Sequence, residues 1–183
     1  MKSVIFIGTK YCGHNLIISY LGLHKDVCFN IPEADKKIII FENLEYFSCD
    51  KTNAKVKWIH VARNPFDELG LEISESKIGF ESVLKKYIDI NIRIQRLYAE
   101  EEVLSLSYEV AIRNFRRILV QLSNYLGIEN NKEWERAVAQ FIIKNKISLQ
   151  FPRHLIAWDE SMKNKVDGTT KQFPWTKVYT IRT

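Results

Sequence analysis

The sequence has few of the features that mark secreted, membrane-spanning or low-complexity proteins. Its three cysteines, Cys12, Cys28 and Cys49, are an odd number without metal-site spacing, which disfavours a disulfide scaffold and indicates a reducing, cytoplasmic compartment. No apolar run approaches the roughly 18 residues that a membrane span needs. The short apolar segment at Val4 leads into a glycine turn, so it does not resemble a signal peptide. Internal repeats and low-complexity segments are also missing.

The composition is that of a folded, basic protein. A hydrophobic content of 46% and an aromatic content of 12% exclude a disordered chain, and 183 residues suit one domain over 1–183. The net charge of +5 favours an anionic ligand. Basic residues are spread along the chain, with neither a zinc knuckle nor an RNP-type motif. A solvated basic face is therefore favoured over a nucleic-acid surface.

Strand-like and helix-like patterns alternate, which predicts an α/β fold: a P-loop-type three-layer domain with a short parallel sheet flanked by helices. Strands are predicted over 3–7, 37–41, 57–62 and 102–106. Helices are predicted over 14–23, 80–99, 109–126 and 132–144. The pattern weakens in residues 151–183, which we interpret as a lid or a loosely ordered tail.

The first predicted strand runs into a loop bounded by two glycines. This glycine loop consists of Gly8, Thr9, Lys10, Tyr11, Cys12, Gly13, His14 and Asn15. Glycines let backbone N–H groups turn inward, and the following helix directs its positive end at an anion, so the loop predicts phosphate binding. The glycine spacing is that of a P-loop, but His14 and Asn15 replace its closing Lys-[Ser/Thr]. The loop therefore lacks the lysine and the magnesium-binding hydroxyl of an ordinary magnesium–ATP site.

Two further segments follow in a fixed order. Arg63-Asn64-Pro65-Phe66-Asp67 ends the third predicted strand, and Ser107-Tyr108-Glu109 precedes an amphipathic helix that closes on Leu126-Gly127. With the glycine loop, they resemble the sulfotransferase family that uses 3′-phosphoadenosine 5′-phosphosulfate (PAPS). The resemblance covers residues 3–128, and it rests on the order and spacing of the segments.

The resemblance implies a function and a set of residues. The protein would transfer a sulfuryl group from PAPS to a hydroxyl or amine acceptor, without a metal. The glycine loop would bind the phosphosulfate, Lys10 would steady the leaving phosphate and Arg63 would grip the 3′-phosphate. Glu42 is the first candidate for the general base, and His14 is the second. Lys165 and Gly168 resemble the family's basic, glycine-containing loop near the 3′-phosphate.

The chain also departs from the family pattern. Tyr11 stands at the usual basic position of the loop, and Leu71 at the serine expected eight residues after the arginine. Ser74 or Ser76 would replace that serine if the helix that follows Arg63 is shifted. Two alternatives therefore stay open: a sulfotransferase-fold binding module that has lost its chemistry, and a P-loop kinase or nucleotide hydrolase.

Overall fold

The computed structural model describes residues 2–29, 36–41, 56–148 and 155–179. Their centre is a five-stranded sheet in the order β2-β3-β1-β4-β5, in which every neighbouring pair is parallel. The strands are β1 (Lys2–Ile7), β2 (Val27–Phe29), β3 (Ile38–Phe41), β4 (Val56–Ala62) and β5 (Val103–Ser107). The parallel sheet that the sequence predicts is confirmed.

Helices cover both faces of this sheet, as expected for a parallel sheet. They are α1 (His14–Gly22), α2 (Pro65–Ser76), α3 (Phe80–Glu100), α4 (Tyr108–Arg113), α5 (Phe115–Leu126), α6 (Lys132–Lys144) and α7 (Glu160–Thr170), followed by a 3₁₀ helix (Pro174–Tyr179). None of the helices in the described part of the chain is both long and apolar enough to cross a membrane.

The apolar run of β1 is buried on both sides. Val4 and Phe6 belong to the core formed with α1, α5 and α6, whereas Ile5 and Ile7 pack in a second core with α3 and Trp175. Because successive strand residues point to opposite faces, a continuous apolar run is what a doubly covered strand requires. The three-layer α/β architecture is therefore confirmed.

Two elements differ from the sequence prediction. The single helix predicted over 109–126 is wrong: α4 and α5 are separated by Asn114, whose backbone is extended at φ −145°. The Asn114 side chain accepts a hydrogen bond from the Arg117 N–H, so it caps a new helix, a role in which asparagine is favoured. The strand β2 was not predicted at all, because three residues are too few for a periodicity to show.

Helices α2 and α7 were also missed. Asn64 accepts a hydrogen bond from the Phe66 N–H and so begins α2, with Pro65 in its first turn. Asp159 caps α7 in the same way, through the Met162 N–H. Only Val166 and Thr170 of α7 are buried, so its sequence carries too few apolar residues to predict a helix.

A glycine-to-alanine change in α7 should stabilise the protein. Gly168 lies inside the helix, and a Cβ built there meets no atom within 4 Å. Alanine loses less conformational freedom on folding, so Gly168→Ala should raise the free energy of unfolding by about 0.5–1 kcal/mol. Denaturant unfolding measures the change, and a destabilised variant would contradict a helical Gly168.

Candidate functional site

The sheet brings the three segments together at the carboxyl ends of neighbouring strands. The glycine loop follows β1, Arg63 follows β4 and Tyr108 follows β5. Near these ends Ile7 pairs with His60 on β4, and Ala62 pairs with Ser107 on β5. The chain runs from β1 to strands on one side and later to strands on the other. Ligands of open α/β sheets bind outside the carboxyl ends at such a switch point.

Both glycines of the loop are required by close contacts. A Cβ at Gly8 would lie 2.5 Å from the Cys12 Sγ. At Gly13, where φ is +89°, it would lie 2.2 Å from the Cδ2 of Tyr108. Because L residues rarely adopt this φ, only glycine fits at Gly13 without strain. The Tyr108 ring thus lies directly against the loop.

The first turn of α1 is available to an anion. This helix starts at His14 after Gly13, and no side chain of the described residues caps it. Helix α3, which follows Gly79, is also uncapped, whereas α2, α4, α5, α6 and α7 are capped by Asn64, Ser107, Asn114, Asn131 and Asp159. The first N–H groups of a helix have no acceptor within it, and together with the helix dipole they favour a bound phosphate. The loop therefore fits a phosphate group.

Glu68, in the first turn of α2, connects the glycine loop to the end of β4. The hydroxyl of Thr9 donates to Oε2 at 2.5 Å, and the N–H of Arg63 donates to Oε1 at 3.1 Å. Burial raises the pKa of Glu68 to about 8, so the carboxyl group is mostly protonated at neutral pH. Sequence reasoning missed this residue, which from the sequence alone is an ordinary acidic residue near a helix start.

Glu109 holds the ends of β4 and β5 together. Its Oε1 accepts the N–H of Asn64 at 3.0 Å, and its Oε2 accepts the Ser107 hydroxyl at 2.9 Å. The Ser107 hydroxyl oxygen also caps α4 by accepting the N–H of Val110. Two carboxyl groups, those of Glu68 and Glu109, therefore fix the three chain segments relative to one another.

Arg63 lies between the loop and Tyr108. It is 5% exposed. Its Nη1 donates a long hydrogen bond, 3.4 Å, to the carbonyl oxygen of Tyr11. Its Cζ lies 4.2 Å from the centre of the Tyr108 ring, a cation–π contact. The guanidinium is therefore held against the glycine loop.

Tyr11 and Lys10 extend from the other side of the loop. The Tyr11 hydroxyl donates to the Oε2 of Glu75 on α2 at 2.7 Å. Lys10 is exposed, with its Nζ 4.8 Å from the centre of the Tyr11 ring. Hydrogen bonding with the Tyr11 side chain raises the pKa of Lys10. Lys10 is thus a charged, solvent-accessible group at the loop.

Cys12 and His14 are buried under the loop, whereas Asn15 is exposed at the start of α1. The Sγ of Cys12 lies 3.3 Å from the Nδ1 of His14. Burial raises the pKa of the Cys12 thiol and lowers that of His14. Burial therefore favours the neutral thiol of Cys12 and the neutral imidazole of His14.

The remaining predicted site residues lie on α2 and α7 or fall outside the described residues. Ser74 is exposed in α2, where its hydroxyl donates to the Leu71 carbonyl at 2.9 Å. Lys165 and Gly168 lie on α7, and Lys165 pairs with Glu81 at the start of α3. Glu42 falls outside the described residues.

A cavity of about 290 Å³ adjoins the loop beside Tyr108. The first two turns of α1 form one wall, and the carboxyl end of α6 with the residues after it forms the other. Apolar and uncharged polar groups dominate its lining, with one lysine: Asn15, Leu16, Ser19, Tyr108, Phe141, Asn145, Lys146, Ile147 and Ser148. Such a lining suits a flat heteroaromatic ring with a few polar atoms.

Two solved structures share this architecture over nearly the whole chain. The sulfotransferase domain of the Synechococcus PCC 7002 olefin synthase superposes with a TM-score of 0.68 at 12% identity, over 99% of this chain and 96% of that one. Mouse sulfotransferase SULT7A1, complexed with PAP, superposes with a TM-score of 0.66 at 13% identity, over 97% and 86%. The chain has the sulfotransferase fold.

A third solved structure matches less of the chain. Sulfotransferase STF9 from Mycobacterium avium superposes with a TM-score of 0.51 at 8% identity, over 65% of this chain and 36% of that one. No protein-family sequence model matches the chain, and no curated protein sequence matches it significantly. The family resemblance seen in the glycine loop, the Arg63 segment and the Tyr108 segment is thus confirmed at the level of the fold.

Proposed function

We propose that the protein is a PAPS-dependent sulfotransferase that transfers a sulfuryl group to a hydroxyl or amine acceptor. The observation that carries the proposal is the combination of an uncapped α1 amino terminus with the buried Arg63 guanidinium beside it, in a sulfotransferase fold. The N–H groups suit the phosphosulfate, and the guanidinium suits the 3′-phosphate. The cysteine pattern favours a cytoplasmic setting, where Cys12 and Cys28 are free thiols.

The nucleoside part of PAPS would occupy the cavity beside Tyr108. This cavity shares Asn15 with the glycine loop and Tyr108 with the Arg63 contact, so one ligand can reach both. The aromatic and aliphatic groups of Tyr108, Leu16 and Ile147 would pack on an adenine ring, while Asn15 and Ser19 offer hydrogen bonds. The PAP in the mouse SULT7A1 complex is consistent with a ligand of this chemistry.

Sulfuryl transfer requires the protein mainly to position the reactants and to stabilise negative charge. In the transfer, the bond between sulfur and the 5′-phosphate oxygen breaks as a bond to the acceptor forms, and 3′,5′-adenosine bisphosphate leaves. Lys10 would stabilise the negative charge that builds on the leaving phosphate, and Arg63 would bind the 3′-phosphate. The acceptor proton needs a base, for which neutral His14 and Glu42 are the candidates.

A turnover assay tests this proposal. The protein is incubated with PAPS and a panel of phenols, alcohols, sugars and amines, and the release of 3′,5′-adenosine bisphosphate is followed together with sulfation of the acceptor. We expect acceptor-dependent release that does not require magnesium. The control is Arg113→Ala, which removes an exposed positive charge at the end of α4 and should retain turnover. Release that is equal with and without every acceptor would contradict transfer.

One observation favours the binding-module alternative: Tyr11 stands where the family has a basic residue, and it is bonded to Glu75. Tyr11→Lys restores the cation and releases Glu75, which is exposed and so is not left buried and unpaired. We expect about ten- to hundredfold tighter binding of 3′,5′-adenosine bisphosphate, because a charge-assisted hydrogen bond contributes about 1.5–3 kcal/mol.

Turnover of the Tyr11→Lys variant separates the two functions. If the wild-type chain is inactive and this variant gains transfer, the protein is a binding module whose chemistry was lost at the loop. If the wild type is active, the binding-module hypothesis is excluded. The kinase or hydrolase reading predicts magnesium-dependent ATP binding, which His14 and Asn15, in place of Lys-[Ser/Thr], do not support.

A further inference from the structure

We propose that Glu68 is a positioning residue of the nucleotide site. Its two carboxyl oxygens hold the glycine loop and the backbone of Arg63 at one spacing, so that a single nucleotide can engage both segments. The assignment rests on the proposed function, in which the loop binds the phosphosulfate and Arg63 binds the 3′-phosphate. The hydrogen bonds and the burial of Glu68 carry it.

The sheet alone does not fix the spacing of the two segments. The pairing of β1 with β4 ends at Ile7 and His60, and both Thr9 and Arg63 lie beyond that last pair. Backbone beyond a strand is more mobile than the strand unless other contacts hold it. At this point Glu68 joins the two segments: Oε2 accepts the Thr9 hydroxyl at 2.5 Å, and Oε1 accepts the Arg63 N–H at 3.1 Å.

The side chain of Arg63 also contacts the loop, but this contact is a poor permanent link. Its Nη1 donates a long hydrogen bond, 3.4 Å, to the Tyr11 carbonyl. The same guanidinium binds the 3′-phosphate in the proposed function, so its donors have to serve the ligand as well. Glu68 holds the Arg63 backbone N–H instead. The segment therefore stays joined to the loop whichever way the guanidinium turns.

Glu68 is not needed to begin α2, because Asn64 already caps this helix by accepting the Phe66 N–H. The Glu68 side chain is nevertheless buried, with 5% of the residue exposed. Burying a carboxyl group is costly unless hydrogen bonds compensate, and here both oxygens bond groups outside the helix. Since these oxygens are engaged and buried, Glu68 acts through Thr9 and Arg63 rather than by touching the ligand.

Three nucleotides distinguish positioning from general stability. Calorimetric titrations with 5′-AMP, 3′-AMP and 3′,5′-adenosine bisphosphate are made on the wild type, Glu68→Met and Glu68→Gln. Methionine keeps the volume but removes both oxygen acceptors. The bisphosphate then has to order two unlinked segments, so its affinity should fall about tenfold, whereas each monophosphate engages one segment and should change by no more than about twofold. Glu68→Gln can keep both hydrogen bonds, and it should bind all three nucleotides as the wild type does.

Two further variants complete the test. Glu72→Gln is the matched control, because Glu72 lies one turn further along α2 and pairs with Lys86 on α3 rather than with the loop. It should change no affinity by more than about twofold. Thr9→Val cuts the same link from the loop side with little change of shape. It should show the selective loss of bisphosphate affinity even if Glu68→Met fails to fold.

The contrary results are distinct. If the variants that cut the link weaken all three nucleotides by the same factor, or leave the bisphosphate affinity unchanged, Glu68 does not position the two segments for one ligand and our assignment is wrong. The proposed function would survive that result. A wild type that binds none of the three nucleotides would remove the proposed function together with the assignment.

Discussion

Replacing Gly13 by alanine should abolish nucleotide binding and destabilise the fold. The φ of +89° and the 2.2 Å approach of a Cβ to the Tyr108 ring both exclude a side chain. The ring cannot simply move away, because it stacks on the buried guanidinium of Arg63. A left-handed backbone costs an L residue about 1–2 kcal/mol, and overpacking adds about 1–3 kcal/mol. We therefore expect the free energy of unfolding to fall by about 2–5 kcal/mol.

The two causes can be separated in a double-mutant cycle. Tyr108→Ala removes the ring, so Gly13→Ala made in that background should cost only the backbone term of about 1–2 kcal/mol. Denaturant unfolding gives the stabilities, and titration with 3′,5′-adenosine bisphosphate gives the binding. Gly168→Ala is the matched control, because its Cβ meets open space. If Gly13→Ala were as stable as the wild type, the loop conformation described above would be wrong.

Glu68 should make the stability of the protein depend on pH in the neutral range. Its pKa is about 8 in the folded state because it is buried, against about 4.3 for an unperturbed glutamate. Between these values the unfolded chain releases the proton and the folded chain keeps it. The contribution of Glu68 to stability is therefore fully present below its unfolded pKa and is lost as the pH rises through its folded pKa. From about pH 6.5 to pH 8 the loss should be about 2 kcal/mol.

Glu68→Gln tests this expectation with little change of shape. The amide can still accept the Arg63 N–H and can donate to the Thr9 oxygen, so both links to the site are kept. The variant should be more stable than the wild type at about pH 8, and its free energy of unfolding should no longer fall as the pH rises through the neutral range. Burial lowers the pKa values of His14 and His60. These two residues therefore reduce the free energy of unfolding only as the pH falls.

Glu75→Gln is the control for Glu68→Gln. It removes an exposed carboxylate that is bonded to the same loop, through Tyr11, and should leave the slope between about pH 6.5 and pH 8 unchanged. Unfolding free energies measured by denaturant titration at several pH values show whether Glu68 causes the pH dependence. A Glu68→Gln variant with the wild-type slope would show that Glu68 is ionised in the folded protein.

The architecture could be predicted because its signals are local. The apolar run of β1 and the apolar spacing of α3 each reflect one element meeting the core, and Pro65 marks the end of β4. Their order along the chain then limits the topology. The break at Asn114 could not be predicted in this way, since the apolar positions of α4 and α5 read as one continuous helix.

The site could be predicted only in part, because its contacts join residues far apart in the sequence. The loop and Arg63 are recognisable as segments. The link from Thr9 to Glu68 spans 59 residues, and that from Asn64 to Glu109 spans 45. Nothing in the local sequence distinguishes Glu68 from an exposed acidic residue in a first helical turn, where a negative charge is favoured in any protein. Only the packing of α2 against the loop reveals its burial.

Calorimetric titration with 3′,5′-adenosine bisphosphate, with magnesium–ATP as the control ligand, tests the claim that this site binds PAPS. The proposed site has uncapped N–H groups at α1, a buried arginine beside them and an adjoining cavity. It therefore predicts binding of the bisphosphate with a dissociation constant on the order of micromolar, without magnesium. Binding of magnesium–ATP in preference to the bisphosphate, or of neither ligand, would contradict the claim.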